Sequence, residues 1–113
     1  MTLESTILPS TLDQIVRDIV ARILLVVRPE MIVLFGSAAR GSLGPNSDLD
    51  FLVVVPGPVH RRHLAQAIYQ NLIGVGYPTD IVVVTTDDVL RYRSDPNLVI
   101  RPALDEGQIV YAA

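Results

Sequence analysis

The sequence predicts an α/β or α+β fold, a small mixed sheet packed with helices, formed as one domain over residues 1–113. Three observations carry this. Short runs rich in Val and Ile are each cut off by Gly, Pro or a Thr-Asp pair. Between them lie longer stretches whose apolar residues recur every three or four positions, the helical period. The chain has 113 residues and half of them are apolar, enough to fill the core of one ordinary domain.

The first element is a helix over residues 10–28. Ser10 is placed as its N-cap, Asp13 lies in its first turn, and Pro29 stops it. Leu12, Ile15, Val16, Ile19, Ile23 and Val27 form its apolar stripe, which is most simply core and leaves a dimer or partner surface as the alternative. Asp13 and Arg17 make an i,i+4 pair on its wet side. Met31–Phe35 is a short apolar strand ended by Gly36. Residues 37–41 begin a short helix, and residues 43–47 carry turn chemistry. Asp48–Val55 is a second strand, broken by Pro56-Gly57-Pro58. A helix follows over 59–73, stopping at Gly74 or Gly76. Thr79–Thr85 is the third strand. Thr86, with Asp87 and Asp88 behind it, caps a short helix reaching about Arg93. Another helix runs from Pro96 to about Glu106, and Gln108–Tyr111 is a last strand. Strands without clean alternation indicate a sheet covered for much of its area.

Composition narrows the function. The net charge is −3, which argues against a general nucleic-acid-binding surface. No cysteine is present, so there is no disulfide framework and no thiol chemistry. No apolar run nears the roughly 18–20 residues of a membrane span, and MTLESTILPS lacks the features of a signal peptide. Cytoplasmic is the default expectation.

The informative stretch is LFGSAARGSLGPNSDLDFLVVV, residues 34–55. On a strand, residues i and i+2 share a face about 6.6 Å apart, so Asp48 and Asp50 project together and Leu49 points the other way. Two close carboxylates repel unless a cation lies between them. Oxygen ligands favour Mg²⁺ or Mn²⁺, with substrate phosphates completing the shell. Asp80 heads the next apolar strand and is the best third carboxylate; Asp87, Asp88 and Asp105 are weaker candidates. The bland alternative is turn chemistry and a solvated strand mouth. Gly36 and Ser37 form a strand–helix junction whose free N–H groups suit an anion, with Arg40 near enough to add a guanidinium. The alternative there is a plain helix cap. The chain has no lysine, so this is no Walker A loop.

Gly36-Ser37-Ala38-Ala39-Arg40-Gly41, followed at fixed spacing by Ser47-Asp48-Leu49-Asp50, resembles the signature of the polymerase-β-type nucleotidyltransferases, most of all their minimal (MNT) branch. The resemblance covers roughly residues 10–112. It implies the polymerase-β-like fold, with Asp48, Asp50 and Asp80 binding two Mg²⁺ ions. Gly36 and Ser37 would hold the phosphates of a nucleoside triphosphate such as ATP, and Ser47 would belong to the same nucleotide site. Arg40 would touch phosphate or brace the loop. It further implies transfer of AMP to a hydroxyl, and a small all-helical HEPN-type toxin as partner, with this chain as antitoxin. The 113 residues are expected to leave no room for the helical domain that often seats nucleotide and acceptor in larger relatives, so base selection is expected to be weakly encoded. Two rivals stand beside it: transfer to a small-molecule acceptor, and a non-catalytic antitoxin that works by covering its toxin.

Three further features have plain expected roles. His60-Arg61-Arg62-His63 is a solvated helix start rather than a metal or phosphate site. Tyr69 and Tyr77 are partly buried packing residues. Arg91-Tyr92-Arg93 is a solvated helix end.

Overall fold

The computed structural model describes residues 7–36, 39, 48–92 and 100–113, with side chains from residue 12 onward. Four strands, β1 (Met31–Phe35), β2 (Leu49–Val55), β3 (Thr79–Thr85) and β4 (Gln108–Ala112), form one sheet in the order β3-β2-β1-β4. The pairs β1/β2 and β1/β4 are antiparallel, while β2/β3 is parallel. The sheet is therefore mixed, as the sequence predicts. Parallel neighbours need a crossover, and α2 (Arg61–Asn71) supplies it.

Both faces of the sheet are covered, which explains the missing alternation. Leu49, Phe51, Val53 and Val55 face one way and pack with Val16, Ile19 and Ile23 of α1 (Ile7–Leu24) and with Ile68 and Leu72 of α2. Leu52 and Val54 face the other way and pack with Ile100 and Ala103 of α4 (Ile100–Glu106). Phe51, Leu52 and Val53 have no exposed surface. Burying such side chains is worth about 1.5–3 kcal/mol each, so β2 is the strand the fold is built on.

Several boundaries differ from expectation for local reasons. The first helix spans Ile7–Leu24, so Ser10 lies inside it and is not its cap. It unwinds well before Pro29, through the tighter bonds Leu25 N–H to Arg22 O and Val26 N–H to Ile23 O, a common way for a last turn to close. Its stripe is core as expected, and Asp13 pairs with Arg17 at 2.9 Å. β2 begins at Leu49, one residue late, leaving Asp48 just ahead of the strand. The second helix begins at Arg61 with His60 as N-cap, whose Nδ1 accepts the His63 N–H at 3.3 Å. The two imidazoles stack at 3.7 Å, so the helix-start reading of this segment holds. The expected short helix at 37–41, the turn at 43–47 and the start of the fourth helix at Pro96 lie outside the described residues.

The cap of α3 (Thr86–Tyr92) falls one residue before Thr86. Thr85 ends β3 and caps the helix: its Oγ1 accepts the Asp88 N–H at 3.0 Å, and Asp88 Oδ2 accepts the Thr85 N–H at 2.9 Å. This reciprocal pair is a capping box. Arg61 from α2 adds a 2.6 Å ion pair to the same carboxylate. Burial alone would raise the Asp88 pKa, but the bonds from Thr85 and the Arg61 charge outweigh it and hold the group below its usual value. A depressed carboxylate stabilises the fold above its unfolded pKa, and that contribution is lost as pH falls through the folded one. Asp88→Ala is therefore expected to lower stability by about 1 kcal/mol at pH 7. Denaturation midpoints measured down through the acid range should converge with those of the wild type.

Candidate active site

The site grows from the strand register. Asp50 lies opposite Phe35 on β1 and opposite Asp80 on β3. Registered residues on adjacent strands share a face, so Asp50 and Asp80 project side by side. Asp48 stands two residues before Asp50 and is exposed, while Leu49 between them is buried on the other face. The three carboxylates expected from the sequence thus come to one corner, where β1 ends and β2 and β3 begin.

Gly36 closes that corner. It has φ of 76°, a left-handed conformation that costs an L-residue about 1–2 kcal/mol. A Cβ built on Gly36 would overlap Asp50 Oδ2 and stand 3.3 Å from its Cγ. The backbone turn therefore sits directly on the Asp50 carboxylate, leaving room for nothing larger than hydrogen. Gln108 on β4 donates to Ala39 O at 3.1 Å, tying Ala39 to the edge strand of the sheet. Ser37, Arg40 and Ser47 lie outside the described residues.

The electrostatics fit a cation site. Burial, then the charge of Asp80, then that of Asp48 raise the Asp50 pKa. Among the described residues, no donor hydrogen-bonds to Asp50, and no group of three acid, imidazole or thiol side chains is arranged to hold a metal ion by itself. An open carboxylate corner suits Mg²⁺ better than a cage would, because that ion keeps waters and takes substrate phosphate oxygens beside one or two carboxylates. The donor set is all oxygen, so Asp48, Asp50 and Asp80 are chemically apt to hold it.

One participant escaped the sequence reading. Tyr69 is not a partly buried packing residue: it is 39 % exposed, and its hydroxyl donates to Asp80 Oδ1 at 2.9 Å. It also accepts the Ile81 N–H at 2.8 Å. Burial, and the charges of Asp80 and Asp48, raise its pKa and keep it a donor. No local signal in the sequence marks Tyr69, since the contact exists only once α2 packs on β3. Tyr77 does pack against the core as expected.

The weaker acidic candidates are occupied elsewhere. Asp87 pairs with Arg91 at 2.6 Å, Asp88 belongs to the α3 cap, and Asp105 pairs with Arg101 at 3.2 Å. Arg91 also stands 5.7 Å from the Tyr92 ring centre, in keeping with a solvated helix end. A cleft of about 690 Å³ between Pro56–Val59 and Thr85–Asp88 lies at the opposite end of the sheet. It is five residues along β3 from Asp80, or about 16 Å.

The profile of the nucleotidyltransferase domain matches residues 13–110. The chain belongs to the nucleotidyltransferase-domain family. Among solved structures, the fold is similar to a protein of Sulfolobus solfataricus assigned as a nucleotidyltransferase, with 19% identity and a TM-score of 0.62. That match covers 88% of this chain and 78% of the other. A toxin–antitoxin structure with AMP-PNP is similar at 22% identity and TM-score 0.57, over 86% of this chain and 73% of that one. A toxin–antitoxin MntA–HpeT variant, in which two aspartates two positions apart are replaced by glutamate, matches at 19% identity and TM-score 0.55. It covers 86% of this chain and 72% of its own. No curated protein sequence matches significantly. The polymerase-β-like nucleotidyltransferase fold expected from the sequence is therefore the fold of this chain.

Two outcomes follow from the corner. A carboxylate whose folded pKa is raised contributes stability that is full below the unfolded value and is lost as pH rises through the folded one. In nucleotidyltransferase without divalent cation, Asp50→Asn should therefore raise the thermal midpoint at pH 7, with the gain shrinking as pH falls into the usual carboxylate range. Gly36→Ala should do the opposite: a loss of about 1–2 kcal/mol from the forced backbone, together with displacement of Asp50, read by denaturation and by Mn²⁺ binding.

Proposed function

We propose that this nucleotidyltransferase transfers AMP from ATP to a hydroxyl on a protein partner, a small all-helical HEPN-type toxin for which it is the antitoxin. The observation that carries the reading is the register that pairs Asp50 with Asp80, with Asp48 beside them and Gly36 folded onto Asp50. Asp48 and Asp50 would hold two Mg²⁺ ions and Asp80 would complete one of the sites. Bound there, the ions supply neutralising charge to a triphosphate. The left-handed turn at Gly36 lets the backbone approach the β- and γ-phosphates, with Ser37, Arg40 and Ser47 completing the nucleotide site.

In the reaction, the acceptor oxygen bonds to the α-phosphorus, the bond from that phosphorus to the β-phosphate bridging oxygen breaks, and pyrophosphate leaves. Asp80 takes the acceptor's proton. The protein's share is positioning and charge placement rather than covalent chemistry. Support for a toxin partner comes from the two toxin–antitoxin neighbours, and support for an adenine nucleotide from the AMP-PNP in one of them. The Asp pair exchanged in the other has the spacing of Asp48 and Asp50.

The test incubates the chain with ATP labelled at the α-phosphate, Mg²⁺ and a small all-helical HEPN-type protein, sought in the neighbouring reading frame. Label is expected on the partner with wild type and absent with Asp48→Ala plus Asp50→Ala, a loss of at least about 100-fold. Toxin neutralised equally by both proteins, with no label on either, would overturn transfer in favour of simple covering. Label on an aminoglycoside-type small molecule instead would move the acceptor from protein to metabolite.

A further inference from the structure

We infer that Tyr69 is a positioning residue for Asp80, fixing which carboxylate oxygen faces the reaction. This rests on the functional reading above. β3 is the outer strand of the sheet beyond β2, so every second N–H along it points away from any strand partner. Tyr69 reaches over that edge from α2 and accepts the Ile81 N–H. The same oxygen donates to Asp80 Oδ1. Ile81 faces the α1/α2 side of the sheet while Asp80 follows the other alternation. The phenol thus crosses from one layer to the acid corner and is held there by two bonds of 2.8 and 2.9 Å.

The consequence is specific. An aspartate at an exposed strand start rotates freely about its terminal torsion. With Oδ1 committed to Tyr69, the carboxylate is held in one plane, and Oδ2 is the oxygen left for a cation or an acceptor hydroxyl. Outer partners of this sort orient the groups that bind a metal and tune them.

The experiment compares wild type, Tyr69→Phe and Ile68→Val. Phe keeps the ring and removes both hydrogen bonds. Val at 68 trims a fully buried side chain on the same helix and controls for lost stability. Two readouts are taken at a temperature where all three are folded: Mn²⁺ binding by electron paramagnetic resonance without nucleotide, and label transfer from ATP. Tyr69→Phe should weaken Mn²⁺ binding by about 10- to 100-fold and lower kcat with little change in the KM for ATP, while Ile68→Val leaves both near wild type. Wild-type Mn²⁺ affinity in Tyr69→Phe, or equal losses in the two variants, overturns the inference and leaves the transferase reading standing. A wild type that binds no Mn²⁺ and transfers no label removes that reading, and the inference with it.

Discussion

Like charge held at close quarters is the constraint on which this chain is organised. The parallel pairing of β2 and β3 sets Asp50 against Asp80, and the Asp-Leu-Asp order adds Asp48 to the same face. Such a corner opposes folding at neutral pH, so other parts of the sheet must hold it. They do so with dry cores on both faces: Leu49, Phe51, Val53 and Val55 against α1 and α2, Leu52 and Val54 against α4. Because side chains alternate, a slip of one residue in β2 would turn the acids into the α1/α2 core and the apolar residues into the corner. Packing fixes the register, and the register fixes the acids.

Among the described residues, glycine acts at two places where backbone must approach backbone or carboxylate. At Gly36 the turn lies against Asp50. At Gly107 the chain enters β4 with its N–H on Ala103 O at 2.8 Å, where a Cβ would overlap Ala103 O and crowd Leu34 O at 2.9 Å. That second contact lets β4 lie beside β1, and from there Gln108 reaches Ala39.

Much of this was legible because it is local. Met31–Phe35 and Thr79–Thr85 were bounded to the residue, since Gly36 and the Thr-Asp pair are strong punctuation. The motif spacing gave Gly36, Asp48 and Asp50, and the position of Asp80 at the head of its strand made it the third acid. What failed was set by contacts distant in sequence or by competing caps. Thr85 rather than Thr86 caps α3 because Asp88 sits three residues after Thr85 and can answer its N–H. Tyr69 went unseen because nothing around it distinguishes a ring on the core from a ring at the edge. Its role needs an outer strand with an unmet N–H and an acid one residue earlier, both supplied by β3.

The two ends of the sheet show how differently this chain treats a carboxylate. At the Thr85 end, Asp88 receives the Thr85 N–H and an arginine, and its pKa falls below the usual value. At the other end, Asp50 is partly buried beside two more acids, has no hydrogen-bond donor among the described residues, and its pKa rises. Both lie where β2 and β3 meet a turn, so the sheet could have supplied Asp50 with a cap as it does Asp88. Instead a glycine turn is pressed against it, and the Tyr69 phenol bonds Asp80. A cation placed among these carboxylates would relieve their repulsion and be bound more tightly for it.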